Sequence, residues 1–230
     1  MSQSGRVSPG RAADAARPHR PRPETGLSRL TGRQLTRVGA LGRRVGLLRL
    51  AELSFRAAIR LSPDPSWFIR LGQIREARKH WTGAETAYQL AIETTAGTPG
   101  GRRHRAHAHY RQARLRARRS DWDGAEAAFT EALQLRADLP VWHVHRAELA
   151  ESRRDWPAAA DSYRRAVTLA PDQPVWTTRM VRASVKSGRP DLAIGATADL
   201  RGAGSADSPL AQELLVAYEE VGDWHAAAGL

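Results

Sequence analysis

The apolar positions of this chain recur in a fixed pattern of small and aromatic residues. Leu48, Ala51, Phe55 and Ala58 are separated by three, four and three residues. The same spacing returns in three further sets: Trp81, Ala84, Tyr88, Ala91; Trp122, Ala125, Phe129, Ala132; and Trp156, Ala159, Tyr163, Ala166. Because residues three and four apart lie on one face of an α-helix, each set predicts an amphipathic helix.

The distance between successive sets is nearly constant. Trp122 to Trp156, Trp156 to Pro190, and Pro190 to Trp224 are each 34 residues apart, and Leu48 to Trp81 is 33. Trp81 to Trp122 is 41, and we assign the excess to a loop from Thr98 to His104. Self-similarity at such a period is typical of a stacked-repeat protein.

A second helix start precedes each later set. Trp67, Trp142 and Trp176 stand 14 residues before Trp81, Trp156 and Pro190, and each follows a proline closely. Proline in the first turn after a polar residue is a helix start signal, and Pro63 and Pro171 end the preceding helices. Each unit of about 34 residues is therefore predicted to be a helix–turn–helix hairpin.

This array resembles the tetratricopeptide repeat. The matching residues are Leu71, Gly72, Trp81, Ala84, Tyr88, Ala91, Trp156, Ala159, Tyr163, Ala166 and Pro171, with a weaker match at Val38, Gly39, Ala51, Phe55, Ala58 and Pro63. The resemblance implies an all-α, right-handed superhelical solenoid over 27–230. Its expected units are 32–64, 65–98, 106–139, 140–173, 174–207 and an incomplete 208–230, after a disordered basic tail at 1–26.

The chain departs from the family pattern at several positions. Ala113 and Ala147 replace the usual glycine, and Pro190 and Thr197 stand where aromatic residues are expected in the fifth unit. The sixth unit stops at Leu230, inside its second helix and without a polar capping helix. We therefore expect the chain to be the amino-terminal part of a longer polypeptide or a truncated reading frame.

Charge is distributed unevenly along the chain, whose net charge is +12. Residues 27–61 carry eight Arg and one acid, and residues 99–119 carry eight Arg and no acid, whereas residues 120–230 carry a net charge of −6. Such asymmetry indicates the kind of partner, namely an acidic one. Arginine supplies 34 of the 36 cationic residues, which suggests a GC-rich bacterial genome.

The family resemblance places the first helix of each unit along a concave groove. Projected onto this chain, that geometry puts nine cationic residues on or near the groove: Arg37, Arg44, Arg70, Arg111, Arg114, Arg118, Arg179, Arg182 and Lys186. Guanidinium groups match carboxylates and phosphates. The chain contains no Asn, so the Lys and Asn carboxylate clamp of one family variant is not expected here.

Other chemistry is not expected from this sequence. His104, His107 and His109 do not share one helix face and have no nearby carboxylate, so we expect no metal site. The chain has no cysteine and no phosphate-binding, nucleophile-elbow or zinc-protease motif. We therefore expect no cofactor and no enzymatic activity in this chain itself.

The amino-terminal region leaves two interpretations open. The Pro- and Arg-rich tail is either a solvated extension or an electrostatic tether to an acidic surface. Residues 27–61 are either the first hairpin of the array or a basic amphipathic helix on an anionic membrane, and their repeat spacing favours the hairpin. No apolar run is long enough for a secretory signal or a membrane span, so the expected location is the cytoplasm.

These observations favour a protein–protein interaction scaffold whose basic groove binds an acidic protein or peptide. One alternative is the amino-terminal helper region of a larger bacterial transferase that acts on anionic or sugar polymers. Another is nucleic-acid binding by the basic amino-terminal half, for which the aromatic residues, committed to packing, are poorly suited.

Overall fold

A computed structural model describes residues 26–95, 100–196 and 209–223. These ranges contain helices and turns and no strand. The helices are α1 Gly26–Arg44, α2 Leu48–Leu61, α3 Pro65–Ala77, α4 Trp81–Thr94, α5 Gly101–Arg118, α6 Trp122–Leu135, α7 Pro140–Ser152, α8 Trp156–Leu169, α9 Pro174–Lys186, α10 Pro190–Ala196 and α11 Pro209–Val221. Odd-numbered helices are the first helices of the hairpins and even-numbered helices are the second.

The predicted all-α solenoid of helical hairpins is confirmed. The second helices begin at Leu48, Trp81, Trp122, Trp156 and Pro190, the residues that open the repeated pattern. None of the described helices has both the length and the apolar composition needed to cross a bilayer.

Acidic side chains cap several of the helix starts. Asp64 accepts a hydrogen bond from the backbone N–H of Ser66 at 2.8 Å, and Pro65 follows it in the first turn of α3. Asp121 accepts from the N–H of Gly124 at 3.1 Å. Asp155 makes the same contact at the start of α8. Such caps satisfy N–H groups that lack partners within the helix, and they fix where each helix begins.

One turn geometry follows each of the described first helices. The residue two places before each second-helix position has positive φ: Gly46, Lys79, Ser120, Arg154, Gly188 and Gly222. The next residue donates its N–H to a carbonyl five residues earlier, as His80 does to Arg75 at 2.8 Å and Asp155 to Ala150 at 2.9 Å. This is the Schellman arrangement, for which glycine is the preferred left-handed residue.

The core is a seam between successive hairpins that consists of separate clusters of buried residues. Phe55, Tyr88, Phe129 and Tyr163 are fully buried, together with the small residues of their sets. The first helix of each following hairpin closes over this stripe. For example, Leu71 and Ile74 of α3 belong to one cluster with Ala51 and Phe55 of α2. Small residues allow the helices to approach closely, so the aromatic rings fill the remaining space.

A repeated ion pair links neighbouring hairpins beside this seam. Glu52, Glu85 and Glu126 occupy the fifth position of α2, α4 and α6. Glu52 accepts from Arg75 Nε at 3.0 Å and also from Arg78, and Glu85 lies 2.6 Å from Arg116 Nη2. Burial alone would raise the pKa of Glu52, but the hydrogen bonds and charges of the two guanidinium groups outweigh burial and lower it.

The predicted loop from Thr98 to His104 is wrong in its second half. α5 begins at Gly101, ahead of the expected unit start at 106, so part of the excess between Trp81 and Trp122 lengthens a helix. Gly100 takes positive φ, and its carbonyl accepts from the N–H groups of Arg103 and His104. The left-handed glycine thus lets a new helix start directly after the turn.

Several other predictions fall at the edge of the described ranges. Gly26, assigned to the tail, is the first residue of α1, and the rest of the tail lies outside the described residues. Thr197 and the helix expected from Trp224 also lie outside them. The division into repeat units therefore stays a prediction.

Candidate partner-binding groove

Three successive first helices, namely α3, α5 and the start of α7, border a cleft of about 460 Å³. It is lined by Ser66, Ile69, Arg70, Gln73, Arg103, His104, His107, Arg136, Leu139 and Trp142. Every ionisable side chain in this lining is basic, whereas Ile69, Leu139 and Trp142 supply an apolar wall. The cleft thus combines an apolar surface with donors for an anionic group.

A stacked aromatic pair supports the wall of the cleft. The Trp142 ring lies 4.6 Å from that of Tyr110, with an angle of 8° between the planes. The Tyr110 hydroxyl is 2.8 Å from His145 Nδ1, which fixes the Tyr110 ring between α5 and α7. Offset stacking of this kind adds to the free energy of burial, so the pair holds the first helices in register.

His107 lies in the cleft as a neutral side chain. Burial, and then the positive charges of Arg111 and His104, lower the pKa of His107 to about 4. Arg111 Nε is 3.4 Å from His107 Nε2, so the imidazole accepts at that nitrogen. His109 also has a lowered pKa, because of burial. Within the described ranges, no three His, Asp or Glu side chains converge to hold a metal ion.

Arg111 and Arg114 lie next to the aromatic pair without a carboxylate partner among the described residues. Their guanidinium carbons are 6.0 and 5.9 Å from the centre of the Tyr110 ring. When the Gln73 amide turns its oxygen toward α5, that oxygen lies 2.9 Å from Arg111 Nη2. Both arginines therefore keep hydrogen-bonding capacity for a ligand on the inner face.

Three of the predicted groove arginines are paired with carboxylates of neighbouring first helices. Arg118 Nη1 lies 3.3 Å from Glu76. Arg179 Nη1 is 2.9 Å from Glu148 and 3.3 Å from the Tyr163 hydroxyl, and Arg182 is 2.6 Å from Glu213. The ammonium of Lys186 lies 4.4 Å from the centre of the Trp156 ring. Much of the positive charge toward α9 is thus neutralised within the fold.

Arg37, Arg44 and Arg70 are exposed on the first helices, and no ion pair holds them in the described structure. Arg70 lines the cleft. Arg37 stands 11 residues before Leu48, as Arg70 does before Trp81 and Arg111 before Trp122. These three arginines therefore occupy equivalent positions of consecutive hairpins.

Arg103, His104, His107, Arg136 and Trp142 were not among the groove residues predicted from the sequence. The first two fell in a predicted loop, and only the extension of α5 to Gly101 brings them to the cleft. Trp142 was assigned to core packing, and it is indeed buried, although one edge borders the cleft. The acid-free stretch 99–119, rich in Arg and His, was a signal for Arg103, His104 and His107, whereas Arg136 and Trp142 lie outside it.

A second, smaller hollow of about 240 Å³ lies farther along the same face. Its lining includes Arg114, Arg118, His145 and Glu148, so it carries charges of both signs. The purely basic lining of the cleft between α3, α5 and α7 therefore does not extend into this hollow.

Comparisons with known proteins agree with this architecture. The family model of the tetratricopeptide repeat matches residues 103–174. The structure is similar to that of the MamA protein, with a TM-score of 0.60 at 14% identity, covering 84% of this chain and 95% of that one. Similar values hold for pilF of Pseudomonas aeruginosa, with a TM-score of 0.60 and 15% identity over 87% of this chain and 89% of that one.

A third similar structure is that of YrrB, described as a TPR protein with an unusual peptide-binding site. Its TM-score is 0.59 at 16% identity, over 75% of this chain and 86% of YrrB. No curated protein matches the sequence. The predicted resemblance is confirmed: residues 103–174 match the tetratricopeptide-repeat family model, and the fold is that of solved tetratricopeptide-repeat structures.

Proposed function

We propose that this chain is a non-enzymatic interaction scaffold that binds an acidic segment of a partner protein in the cleft between α3, α5 and α7. The general role follows from the tetratricopeptide-repeat fold, and YrrB is a structural neighbour with a peptide-binding site. The observation that carries the finer proposal is the lining itself, in which basic side chains surround an apolar wall and no carboxylate is present. A cytoplasmic location is part of this proposal.

The arginines of the cleft differ in whether an ion pair within the protein already holds them. Arg136 is held 2.6 Å from Asp138, outside the cleft lining, so part of its charge is already neutralised. Arg70 and Arg103 are exposed and have no ion pair among the described residues, so they would bind the carboxylates of the ligand. Ile69 and Trp142 would contact an apolar side chain between those carboxylates. The neutral His107 would offer a hydrogen bond without adding charge.

The nine arginine and lysine residues predicted from sequence would contribute unequally. Arg70, Arg111 and Arg114 lie in or beside the basic part of the groove, and Arg37 occupies the equivalent position one hairpin earlier. Arg118, Arg179 and Arg182 would have to leave a carboxylate before they bound a ligand, which lowers their net contribution to affinity. An acidic peptide is therefore proposed to bind toward the amino-terminal half of the groove.

The test is binding of a short fluorescein-labelled peptide of alternating Glu and Leu residues, followed by fluorescence anisotropy. The Arg70→Glu, Arg103→Glu double variant should weaken binding about ten-fold or more, because both direct carboxylate contacts are replaced by repulsion. The matched control is Arg56→Glu, Arg60→Glu, which makes the same change in net charge at exposed positions of α2.

Two results would contradict the cleft proposal. Equal weakening by both double variants would show that only the overall charge attracts the peptide. A single-stranded oligonucleotide that binds more tightly than the peptide, with a steep dependence on salt concentration, would instead favour the nucleic-acid alternative.

A further inference from the structure

The first hairpin exposes an apolar surface at the amino-terminal end of the described solenoid. Val38 and Leu41 of α1 and Val45, which directly follows its last residue, are spaced by three and four residues, and they are 45%, 61% and 61% exposed. We refer to these three residues as the amino-terminal end face. Exposed large apolar side chains that follow one side of a helical hairpin indicate a binding surface.

The later hairpins show what such positions contact. Leu71 occupies in α3 the position that Val38 occupies in α1, and Ile74 the position of Leu41. Both are buried, in one cluster with Ala51 and Phe55 of the preceding second helix.

The same relation holds at the following junctions. Leu115 of α5 is buried in a cluster with Ala84 and Tyr88 of α4. Leu149 of α7 is buried in a cluster with Ala125 and Phe129 of α6. At each of these junctions a large apolar residue on a first helix contacts the stripe of small and aromatic residues on the preceding second helix.

The position of Val45 supports the same assignment. Its equivalent in α3 is Arg78, whose guanidinium is hydrogen-bonded to Glu52 of the preceding hairpin. Its equivalent in α7 is Arg153, which lies 3.2 Å from Asp123 of the preceding hairpin. The side that carries Val38, Leu41 and Val45 is therefore the side on which α3 and α7 contact the preceding hairpin.

We propose that the amino-terminal end face binds one amphipathic α-helix of a partner protein, with Ala and an aromatic residue on its apolar stripe and acidic residues beside that stripe. This inference concerns a different surface from the cleft and does not depend on the proposed function. The apolar stripe follows from the equivalence with the later junctions. The acidic character follows from the charge around the end face.

The charge of the first hairpin is almost entirely positive. Seven exposed arginines follow one another on its two helices: Arg33, Arg37, Arg43, Arg44, Arg49, Arg56 and Arg60. Glu52 is the one acid in the described part of this hairpin, and it is buried against Arg75 and Arg78 of α3. A partner helix with carboxylates beside its stripe would therefore be attracted, and a cationic helix would be repelled.

The positive charge of the first hairpin also argues against two other occupants of the end face, namely a second copy of the chain and its own amino-terminal segment. Two copies joined face to face would bring both sets of seven arginines together, and like charges across an interface are costly. The chain's own segment 1–25 is a poor match as well, because it contains five Arg and four Pro, and Met1 and Val7 are its largest apolar residues. A helix of opposite charge fits both properties of the end face.

The probe is a fluorescein-labelled peptide of residues 121–135, the α6 segment with its cap. This segment carries the stripe Ala125, Phe129 and Ala132, and four acids and no cation. Its binding to the full chain is measured by fluorescence anisotropy. We expect saturable binding that the Val38→Asp, Leu41→Asp variant weakens at least ten-fold. A peptide with Phe129→Asp should bind at least ten-fold more weakly than the unchanged peptide.

The matched control is Val141→Asp, Val175→Asp, at positions with the same exposures of 45% and 61% on α7 and α9. This variant adds the same charge and should leave the affinity unchanged. Since all four positions are exposed, circular dichroism should show unchanged helicity in both variants. Loss of peptide binding only with Arg70→Glu, Arg103→Glu would place the peptide in the cleft and overturn the end-face proposal.

Three further results would overturn it. The first is absence of saturable peptide binding. The second is a dimer, detected by light scattering, that Val38→Asp, Leu41→Asp dissociates, because the occupant would then be a second copy. The third is binding to vesicles of phosphatidylcholine and phosphatidylserine that the same variant abolishes, because the occupant would then be a lipid surface.

Discussion

The Tyr163 hydroxyl donates a hydrogen bond to Glu151 Oε2 at 3.0 Å across the hairpin of α7 and α8. Tyr88 and Glu76 make the equivalent contact between α3 and α4. Where the buried aromatic residue is Phe129, the residue twelve positions earlier is Ala117. The chain therefore contains two forms of this pair of positions. One form is a hydrogen-bonded Tyr and Glu, and the other is an apolar Phe and Ala.

This pairing predicts the cost of changing one partner alone. Tyr163→Phe should destabilise the fold by about 1 kcal/mol, because the half-buried Glu151 loses its donor and Arg179 loses the hydroxyl 3.3 Å away. The double variant Tyr163→Phe, Glu151→Ala reproduces the combination found at Phe129 and should be less destabilised than the sum of the single variants. Urea denaturation of the four proteins measures the difference, and strict additivity would argue against the coupling.

The turn geometry predicts stabilising substitutions. Lys79, Ser120 and Arg154 have φ of 58°, 59° and 58°, at positions where the other described hairpins have glycine. Replacing each by glycine should stabilise the fold by about 0.5–1 kcal/mol, since the left-handed conformation is strained for residues with a Cβ. Thermal denaturation should show higher midpoints for the three variants.

The converse substitution serves as the control for these turns. Gly188 has a φ of 71°, and nothing lies within 4 Å of the position its Cβ would occupy. Gly188→Ala should therefore destabilise the fold by about 1 kcal/mol through backbone strain alone. A lowered midpoint in Lys79→Gly, together with an unchanged one in Gly188→Ala, would refute the strain argument.

The ion pairs between hairpins predict a larger effect at Glu52. Glu52→Ala should destabilise the fold by about 2–3 kcal/mol, because the largely buried Arg75 would lose its carboxylate and the exposed Arg78 would lose the same partner. Glu131→Ala removes a carboxylate from an exposed position of α6 and should change stability by less than about 0.5 kcal/mol. Equal destabilisation by Glu52→Ala and Glu131→Ala in urea denaturation would contradict a specific contribution of the Glu52 ion pairs.

The histidine in the cleft predicts a dependence of stability on pH. The pKa of His107 is lowered to about 4 by burial and by nearby positive charge, whereas the unfolded chain has the ordinary value of about 6.5. Between these values the unfolded state binds the additional proton. His107 should therefore cost the fold no stability above about pH 6.5. The free energy of unfolding should decrease as the pH is lowered from there toward 4.

The substitution His107→Gln isolates this contribution. This variant should lose on the order of 2 kcal/mol less stability than the parent between neutral pH and pH 4. The remaining pH dependence should come from His109, His143 and His145, whose pKa values burial also lowers. The measurement is the urea midpoint at a series of pH values, and an identical slope in His107→Gln and the parent would contradict the assignment.

The sequence alone determined the hairpin architecture, because the spacing of Ala and aromatic residues reflects the period of the helix. Leu48, Trp81, Trp122, Trp156 and Pro190 could be identified as helix starts without coordinates, since caps, prolines and apolar periodicity are local signals. The aromatic residues could be assigned to the core for the same reason. What these patterns indicate is which residues face a neighbouring helix.

Only the tertiary structure decided which charges are available to a ligand. The sequence does not distinguish the paired arginines from Arg70 and Arg111, which have no ion pair among the described residues. In the structure, carboxylates from other helices pair with three of them: Glu76 with Arg118, Glu148 with Arg179, and Glu213 with Arg182. Likewise, Arg103 and Trp142 line one cleft only because α5 is longer than its repeat and stacks beside α7. Local periodicity places a side chain on a face, whereas its partners across that face depend on how successive hairpins are stacked.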